Sequence, residues 1–221
     1  MDMPSIKSSV LSPIKVSHGT GKIEGIPSIN TSPIGNAFCD IMKDSSLYVC
    51  RYCYARRMLA YRPSARACYV RNGDILSRAV VPMDALPTIN ATYARFHSFG
   101  ELINETHLEN FVRIARKNRK TTFSLWTKRR DLVQNYRLMH GPFPRNMILV
   151  YSEWNIDPVS VEIPRGFHKV FVVVTDEAKV NCSMKCAQCL KCYRLSRKKE
   201  DNYIYEYLRT TKKDKKELTW R

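Results

Sequence analysis

Four cysteines stand within eleven residues near the end of this chain, and they constrain its fold more than any other feature. They are Cys182, Cys186, Cys189 and Cys192. Thiolates this close repel one another unless a cation draws them together, so the spacing indicates a metal site. Such dense spacing fits an iron–sulfur cluster. Zinc held by four thiolates is the alternative.

A second group of cysteines lies nearer the start of the chain and consists of Cys39, Cys50 and Cys53. Three thiolates in one loop leave one iron of a four-iron cluster open to a ligand. A zinc site that uses Cys68 as a fourth ligand is the alternative, although Cys68 also fits a core thiol. The two groups could also share one site, because parallel strands bring their carboxyl ends together.

The start of the chain lacks the apolar stretch of a secretory signal, and no apolar run approaches the ~20 residues of a membrane helix. We therefore expect a cytoplasmic protein with no membrane partner, in which grouped cysteines bind metal instead of forming disulfides. The formal net charge is +17. A field of that sign favours a nucleic acid or nucleotide as partner, and a merely solvated basic surface is the alternative. The oligomeric state does not follow from these patterns.

Strand and helix patterns alternate between the two cysteine groups. Strands are expected at 91–97, 121–126, 146–151 and 168–175, helices at 105–118 and 129–139, and an edge strand near 203–207. Such repeats predict an α/β fold with parallel strands and right-handed crossovers, as an open sheet or a partial barrel. We expect an irregular N-terminal arm (1–35), an α/β core (36–178) and a cysteine-rich C-terminal extension with a basic tail (179–221).

The Cys50-Arg51-Tyr52-Cys53 turn resembles the end of the radical-SAM signature, in which three cysteines hold a four-iron cluster and an aromatic residue precedes the last. The gap between Cys39 and Cys50 is longer than the usual one. Gly100-Glu101 follows the next strand, where that family carries a Gly-Gly-Glu-like turn that holds the amino group of S-adenosylmethionine. The resemblance implies that Gly100 and Glu101 bind the cofactor. It also implies that Ser152 and Asn155, after a later strand, contact its ribose or carboxylate.

A narrower resemblance spans roughly residues 30 to 193 and is to the phage "gene product 88" domain proteins, which are small proteins of phage and mobile elements. It is carried by the segments 32–39 (SPIGNAFC), 50–55 (CRYCYA), 95–102 (RFHSFGEL), 107–110 (HLEN) and 127–129 (TKR), and by the final cysteine group. For a phage-encoded protein, the implied location is the host cytoplasm.

Together these features predict an iron–sulfur protein with one or two [4Fe–4S] clusters and a partial (β/α) barrel of radical-SAM type. The expected activity is cleavage of S-adenosylmethionine to act on a nucleic acid or nucleotide-type substrate, with electrons from a separate donor. Two alternatives stay open: a zinc-stabilised nucleic-acid-binding phage protein without catalysis, and an iron–sulfur enzyme that does not use S-adenosylmethionine. The sequence identifies no catalytic residue.

Overall fold

The strands of the central sheet lie side by side in the same order as they occur in the chain. The computed structural model describes residues 12–45 and 48–210. The strands are β1 (Val16–Ser17), β2 (Ser28–Ile29), β3 (Tyr93–Phe96), β4 (Thr122–Thr127), β5 (Met147–Ile156), β6 (Lys169–Val174) and β7 (Tyr203–Tyr207). Neighbours from β2 to β7 are parallel, and β1 is antiparallel to β2. The predicted α/β class with parallel strand–helix repeats is therefore confirmed.

Helices alternate with most of these strands along the chain. They are α1 (Ala37–Met42), α2 (Tyr54–Ala60), α3 (Pro63–Arg78), α4 (Glu105–Lys117), α5 (Arg130–His140) and the short α6 (Cys186–Cys189). Pro63 opens α3, a position that suits proline because the first helical N–H has no partner within the helix. Within the described ranges, no helix is long and apolar enough to cross a membrane.

Helices α3, α4 and α5 cover one face of the sheet. The ring of Phe96 on β3 stacks between Phe111 of α4 and Phe123 of β4, with ring centroids 4.1 and 4.6 Å apart. Leu76 of α3 and Val133 of α5 are buried in the same cluster. Right-handed crossovers between consecutive parallel strands put successive helices on the same side, which explains this single helical layer.

The opposite face of the sheet is covered by the cysteine-containing segments. Val150 of β5, Phe171 of β6 and Ile204 of β7 form one buried cluster with Tyr52 and Cys192. Tyr52 belongs to the first cysteine group and Cys192 to the second. Both groups therefore lie against the same face, opposite to α3, α4 and α5.

Two regions differ from the expected boundaries. The segment 1–35 was expected to be irregular, but it contributes β1 and β2 to the sheet. Strand β5 continues to Ile156, well past its predicted end, with an irregular register after Ser152. Two-residue strands have no readable periodicity, and the end of β5 is polar, so neither feature carries a sequence signal. The lysine-rich end of the predicted basic tail, 211–221, lies outside the described residues.

Candidate metal centres

The first cysteine group is held by a capped helix and a 3-10 turn. Cys39 lies on α1, where the side-chain oxygen of Asn36 accepts the N–H of Cys39 at 3.4 Å and caps the helix. Cys50 lies in the 3-10 turn Val49–Tyr52, and its carbonyl accepts the N–H of Cys53 at 3.2 Å. Cys53 directly precedes α2. These local bonds fix the backbone at all three cysteines.

The thiols of Cys39, Cys50 and Cys53 lie within electrostatic reach of one another. Burial raises the pKa of the Cys39 thiol far above its usual range. The negative charge of Glu101 raises it further, followed by those of the other two cysteines, whereas Lys128 lowers it. Burial also raises the pKa of Cys50, and Lys128 is the main opposing charge. The structure therefore brings these three cysteines together with Glu101 and adds Lys128.

The carboxylate of Glu101 is anchored by the loops around it. One oxygen accepts the N–H of Leu102 at 2.7 Å and the hydroxyl of Thr127, and the other accepts the N–H of Lys128 at 2.7 Å. Burial raises the pKa of Glu101, and the hydrogen bonds from Thr127 and the backbone act against this shift. The side chain joins the loop after β3 to the end of β4.

The backbone conformation and the close packing at position 100 require glycine. Its φ of +96° is in the left-handed region, and a Cβ there would lie 2.2 Å from the hydroxyl and 2.4 Å from the carbonyl oxygen of Thr31. No side chain fits such a gap. The loop after β3 therefore packs directly on the backbone that follows β2. The predicted contact of Gly100 with a cofactor stays a prediction.

The two predicted positions on β5 differ in their surroundings. The ammonium group of Lys128 donates to the hydroxyl of Ser152 at 2.6 Å, which places Ser152 at the first cysteine site. Asn155 is exposed, and its side-chain amide donates to Glu153 at 3.1 Å. Its backbone nevertheless pairs with Tyr48, next to the 3-10 turn that carries the cysteines.

Sequence reasoning missed the buried asparagine that shapes the turn after β3. The side-chain oxygen of Asn30 accepts the N–H groups of Ser98 at 2.8 Å and Phe99 at 3.1 Å. Within the described part of the chain, the buried hydroxyl of Ser98 has no hydrogen-bond partner. The polar run 30–32, directly after Ile29, was the available signal, but it lay in the segment expected to be an irregular arm.

The second cysteine group surrounds a cavity. Its lining includes all four cysteines of the group: Cys182, Cys186, Cys189 and Cys192. The cavity volume is about 20 Å³, close to what one water molecule needs. Burial raises the pKa of Cys192 to about 12; Arg95 lowers it and the other three thiols raise it. The four cysteines therefore border one small common space.

One face of the sheet carries both cysteine groups, which remain distinct. The charges that act on Cys39 and Cys50 come from the first group and its neighbours, and those that act on Cys192 come from the second group and Arg95. The guanidinium of Arg95 lies 3.9 Å from the ring centre of Trp126. Together with Tyr52, these side chains occupy the face between the groups.

All eight cysteines are free thiols. Cys68 lies half-buried on α3, apart from both groups. In the parts of the chain that the structure describes, no three His, Cys, Asp or Glu side chains are placed around a single ion position.

A family model described as Gene product 88 matches residues 16–220. No curated protein and no solved structure matches the chain.

Proposed function

The chain belongs to the gene product 88 family, and from that premise we propose that it is an iron–sulfur enzyme of radical-SAM type. Its first cysteine site would hold a four-iron cluster with S-adenosylmethionine beside it. The observation that carries the proposal is that Cys39, Cys50 and Cys53 lie within electrostatic reach of one another, of Glu101 and of Lys128. Glu101 and Lys128 follow β3 and β4 at the carboxyl ends of parallel strands, which is where open α/β sheets bind their ligands.

The donor set at this site fits such a cluster. Burial favours the protonated form of the Cys39 and Cys50 thiols. A bound cation would reverse this preference, because metal binding releases thiol protons. Three cysteine ligands leave a fourth iron for an outside ligand. When bound, the cluster supplies the electron for reductive cleavage of S-adenosylmethionine.

The surrounding side chains complement the amino-acid part of S-adenosylmethionine. The ammonium of Lys128 and the hydroxyl of Ser152 are both donors that can bind a carboxylate. The Glu101 oxygen that accepts the N–H of Lys128 has a further lone pair for an ammonium group. The hydroxyl of Ser98 offers another polar atom nearby. We therefore place recognition of the amino acid on these residues, with Gly100 and Asn155 as the remaining predicted contacts.

The order of the strands supports a partial-barrel architecture. Parallel strands in chain order, with helices α3, α4 and α5 on one face, match the way in which a (β/α) barrel is built. The inner face of such a barrel corresponds to the face opposite α3, α4 and α5, which carries both cysteine groups.

We propose a second cluster for the four-cysteine cavity. Four thiolates would complete its coordination, so the role that fits it is electron transfer from a donor protein to the first site. The dense spacing of the four cysteines supports a cluster over a single zinc ion. Zinc is the alternative metal for this position, and metal analysis of the purified protein distinguishes the two.

Anaerobic purification with iron, sulfide and zinc analysis tests the metal assignment. We expect a brown protein with about eight irons, as two four-iron clusters give. Cys50→Ser should retain about four irons in the second site. Cys68→Ser, outside both groups, should retain the full content. A colourless protein with stoichiometric zinc would overturn the iron–sulfur proposal and favour a zinc-stabilised binding protein.

Product analysis tests the reaction. The reconstituted protein is reduced with dithionite in the presence of S-adenosylmethionine, and 5′-deoxyadenosine is measured by chromatography. We expect formation of 5′-deoxyadenosine that Cys50→Ser abolishes and Cys68→Ser preserves. If both clusters are intact and none forms, the protein is an iron–sulfur enzyme that does not use S-adenosylmethionine.

A further inference from the structure

The segment 51–78, which contains helices α2 and α3, is strongly basic. It has seven arginines and a single acidic residue, Asp74. The arginines are Arg51, Arg56, Arg57, Arg62, Arg66, Arg71 and Arg78. The remaining lysines and arginines of the chain are interspersed with most of its aspartates and glutamates. This segment therefore creates a local positive field, of the kind that attracts a polyanion.

Four of these arginines are free to bind a ligand. Arg62, Arg66, Arg71 and Arg78 are exposed, and their side chains make no hydrogen bond or ion pair with any part of the chain that the structure describes. Arg66 follows Arg62 by one helical turn, and Arg78 follows Arg71 by two turns. By contrast, Arg56 is bound to Asp40 at 2.7 Å. The exposed arginines are thus spaced along α3 without compensating acids beyond Asp74.

An exposed aromatic side chain stands among these arginines. Tyr61, between α2 and α3, is 87% exposed and directly precedes Arg62. Proteins that hold single-stranded nucleic acid combine cations for the phosphates with aromatic rings on which bases stack. Tyr61 has the exposure that stacking requires, and its neighbour supplies the cation.

The basic helices are connected rigidly to the first cysteine site. Helix α2 starts directly after Cys53. The rings of Tyr54 on α2 and Tyr69 on α3 both pack on Phe99, with centroids 5.6 and 5.5 Å apart. Phe99 lies in the loop that ends in Gly100 and Glu101. A ligand bound along these helices would therefore be held at a fixed position relative to the site.

We propose that α3, together with Arg62 directly before it, binds the phosphate backbone of a single-stranded nucleic acid, with Tyr61 stacked on a base. The bound strand presents a nucleotide to the first cysteine site, and only this last step rests on the proposed function. The proposal gives the substrate class as single-stranded nucleic acid instead of a free nucleotide.

Fluorescence anisotropy with labelled single strands of DNA and RNA, and with the matching duplexes, tests the surface. The paired substitution Arg62→Ser and Arg66→Ser should weaken single-strand binding about tenfold or more. It should also reduce the slope of log K against log salt by about 1.4, since each phosphate contact contributes about 0.7. Tyr61→Ala should weaken binding about tenfold with little change in slope.

A matched control removes the same charge elsewhere. Arg119→Ser with Lys120→Ser changes two exposed cations in the turn before β4, at the amino end of that strand, whereas Glu101 and Lys128 of the first site follow strands at their carboxyl ends. We expect this pair to bind nearly as tightly as the native protein. The paired substitution Arg62→Lys and Arg66→Lys should keep most of the native affinity, because it keeps both positive charges.

Three results would overturn the proposal. One is no binding of any single strand at low salt. Another is an equal loss of affinity in the Arg62/Arg66 and Arg119/Lys120 double variants, because the nucleic acid would then be attracted only by the overall positive charge. The third is a preference for the duplex. Iron content is measured on the same samples, so a protein that binds nucleic acid but holds no iron refutes the proposed function and leaves the surface standing. Comparing the single-stranded DNA with the single-stranded RNA shows which nucleic acid the protein prefers.

Discussion

The carboxylate of Glu101 accepts the backbone N–H of Lys128 at 2.7 Å. This bond crosses from the loop after β3 to the residue that follows β4. The side chain of Lys128 then reaches Ser152 on β5 at 2.6 Å. Two consecutive contacts thus link the ends of β3 and β4 to β5 beside the first cysteine group, so changes in these loops should affect the site directly.

Replacing Gly100 by alanine should destabilise the protein strongly. The left-handed backbone costs a non-glycine residue roughly 1–2 kcal/mol, and overlap with Thr31 adds a comparable amount. We expect a total loss of about 3 kcal/mol in the free energy of unfolding, measured by urea denaturation. Gly141→Ala is the control, because Gly141 also has a positive φ but open space around its Cβ position. Equal losses for the two variants would contradict the close packing on Thr31.

Lys128→Met should weaken binding of S-adenosylmethionine to the reconstituted protein. The substitution removes the ammonium that bonds Ser152 and that we assign to the ligand's carboxylate. A loss of about 2–3 kcal/mol, or roughly 30- to 150-fold in Kd, is expected for a charged hydrogen bond and is measurable by calorimetry. Arg130→Met, an exposed cation two residues later, should leave the Kd nearly unchanged. Similar losses in both would show that only the overall charge matters.

The buried His97 should make the fold sensitive to acid. Burial lowers the pKa of His97 to about 3, from 6.5. The unfolded chain therefore takes up a proton at a higher pH than the folded one, so the stability contribution is complete above pH 6.5 and declines as the pH falls towards 3. The slope is at most about 1.4 kcal/mol per pH unit for this residue.

His97→Asn tests that contribution by urea denaturation between pH 6.5 and 4.5. His97 has a φ of 65°, and asparagine tolerates this region. The variant should be less stable at neutral pH but show a shallower decline. His140→Asn, at an exposed position on α5, should keep the native slope. A decline as steep in His97→Asn as in the native protein would exclude His97 as the source.

Arg95→Met should lower the reduction potential of the proposed second cluster. The guanidinium of Arg95 is a positive charge that lowers the pKa of Cys192, and positive charge near a cluster favours its reduced form. A shift of tens of millivolts in an EPR-monitored redox titration is expected. Arg113→Met, on the helical face, should leave the potential unchanged. An unchanged reduction potential in Arg95→Met would show that Arg95 does not act on the cluster.

The regular part of the fold was readable from sequence because its elements are long and periodic. Helix α4 has its apolar residues on one face, and β6 is a continuous apolar run. Both were predicted within a residue or two of their ends. The grouping of Cys39, Cys50 and Cys53 in one region was also readable, since grouped cysteines point to a shared site, but their binding of a metal stays a prediction.

The polar framework of the first site was not readable in the same way. Asn30, Thr31 and Asn36 hold the loop after β3, but they belong to irregular backbone, where no periodicity marks a buried residue. The anchoring of Glu101 depends on Thr127 and Lys128, which are distant in sequence. Such contacts are set by how the strands are placed side by side, and spacing along the chain does not reveal them.

The agreement between strand order and chain order also gives the protein an order of assembly. Every group that we assign to the first site, from Cys39 to Asn155, precedes β6 in the chain, whereas the four cysteines of the second group follow it. During synthesis, the N-terminal part emerges and folds first. The first site can thus assemble while the second group is still in the ribosome, and the last cysteine segment closes over a face that already exists.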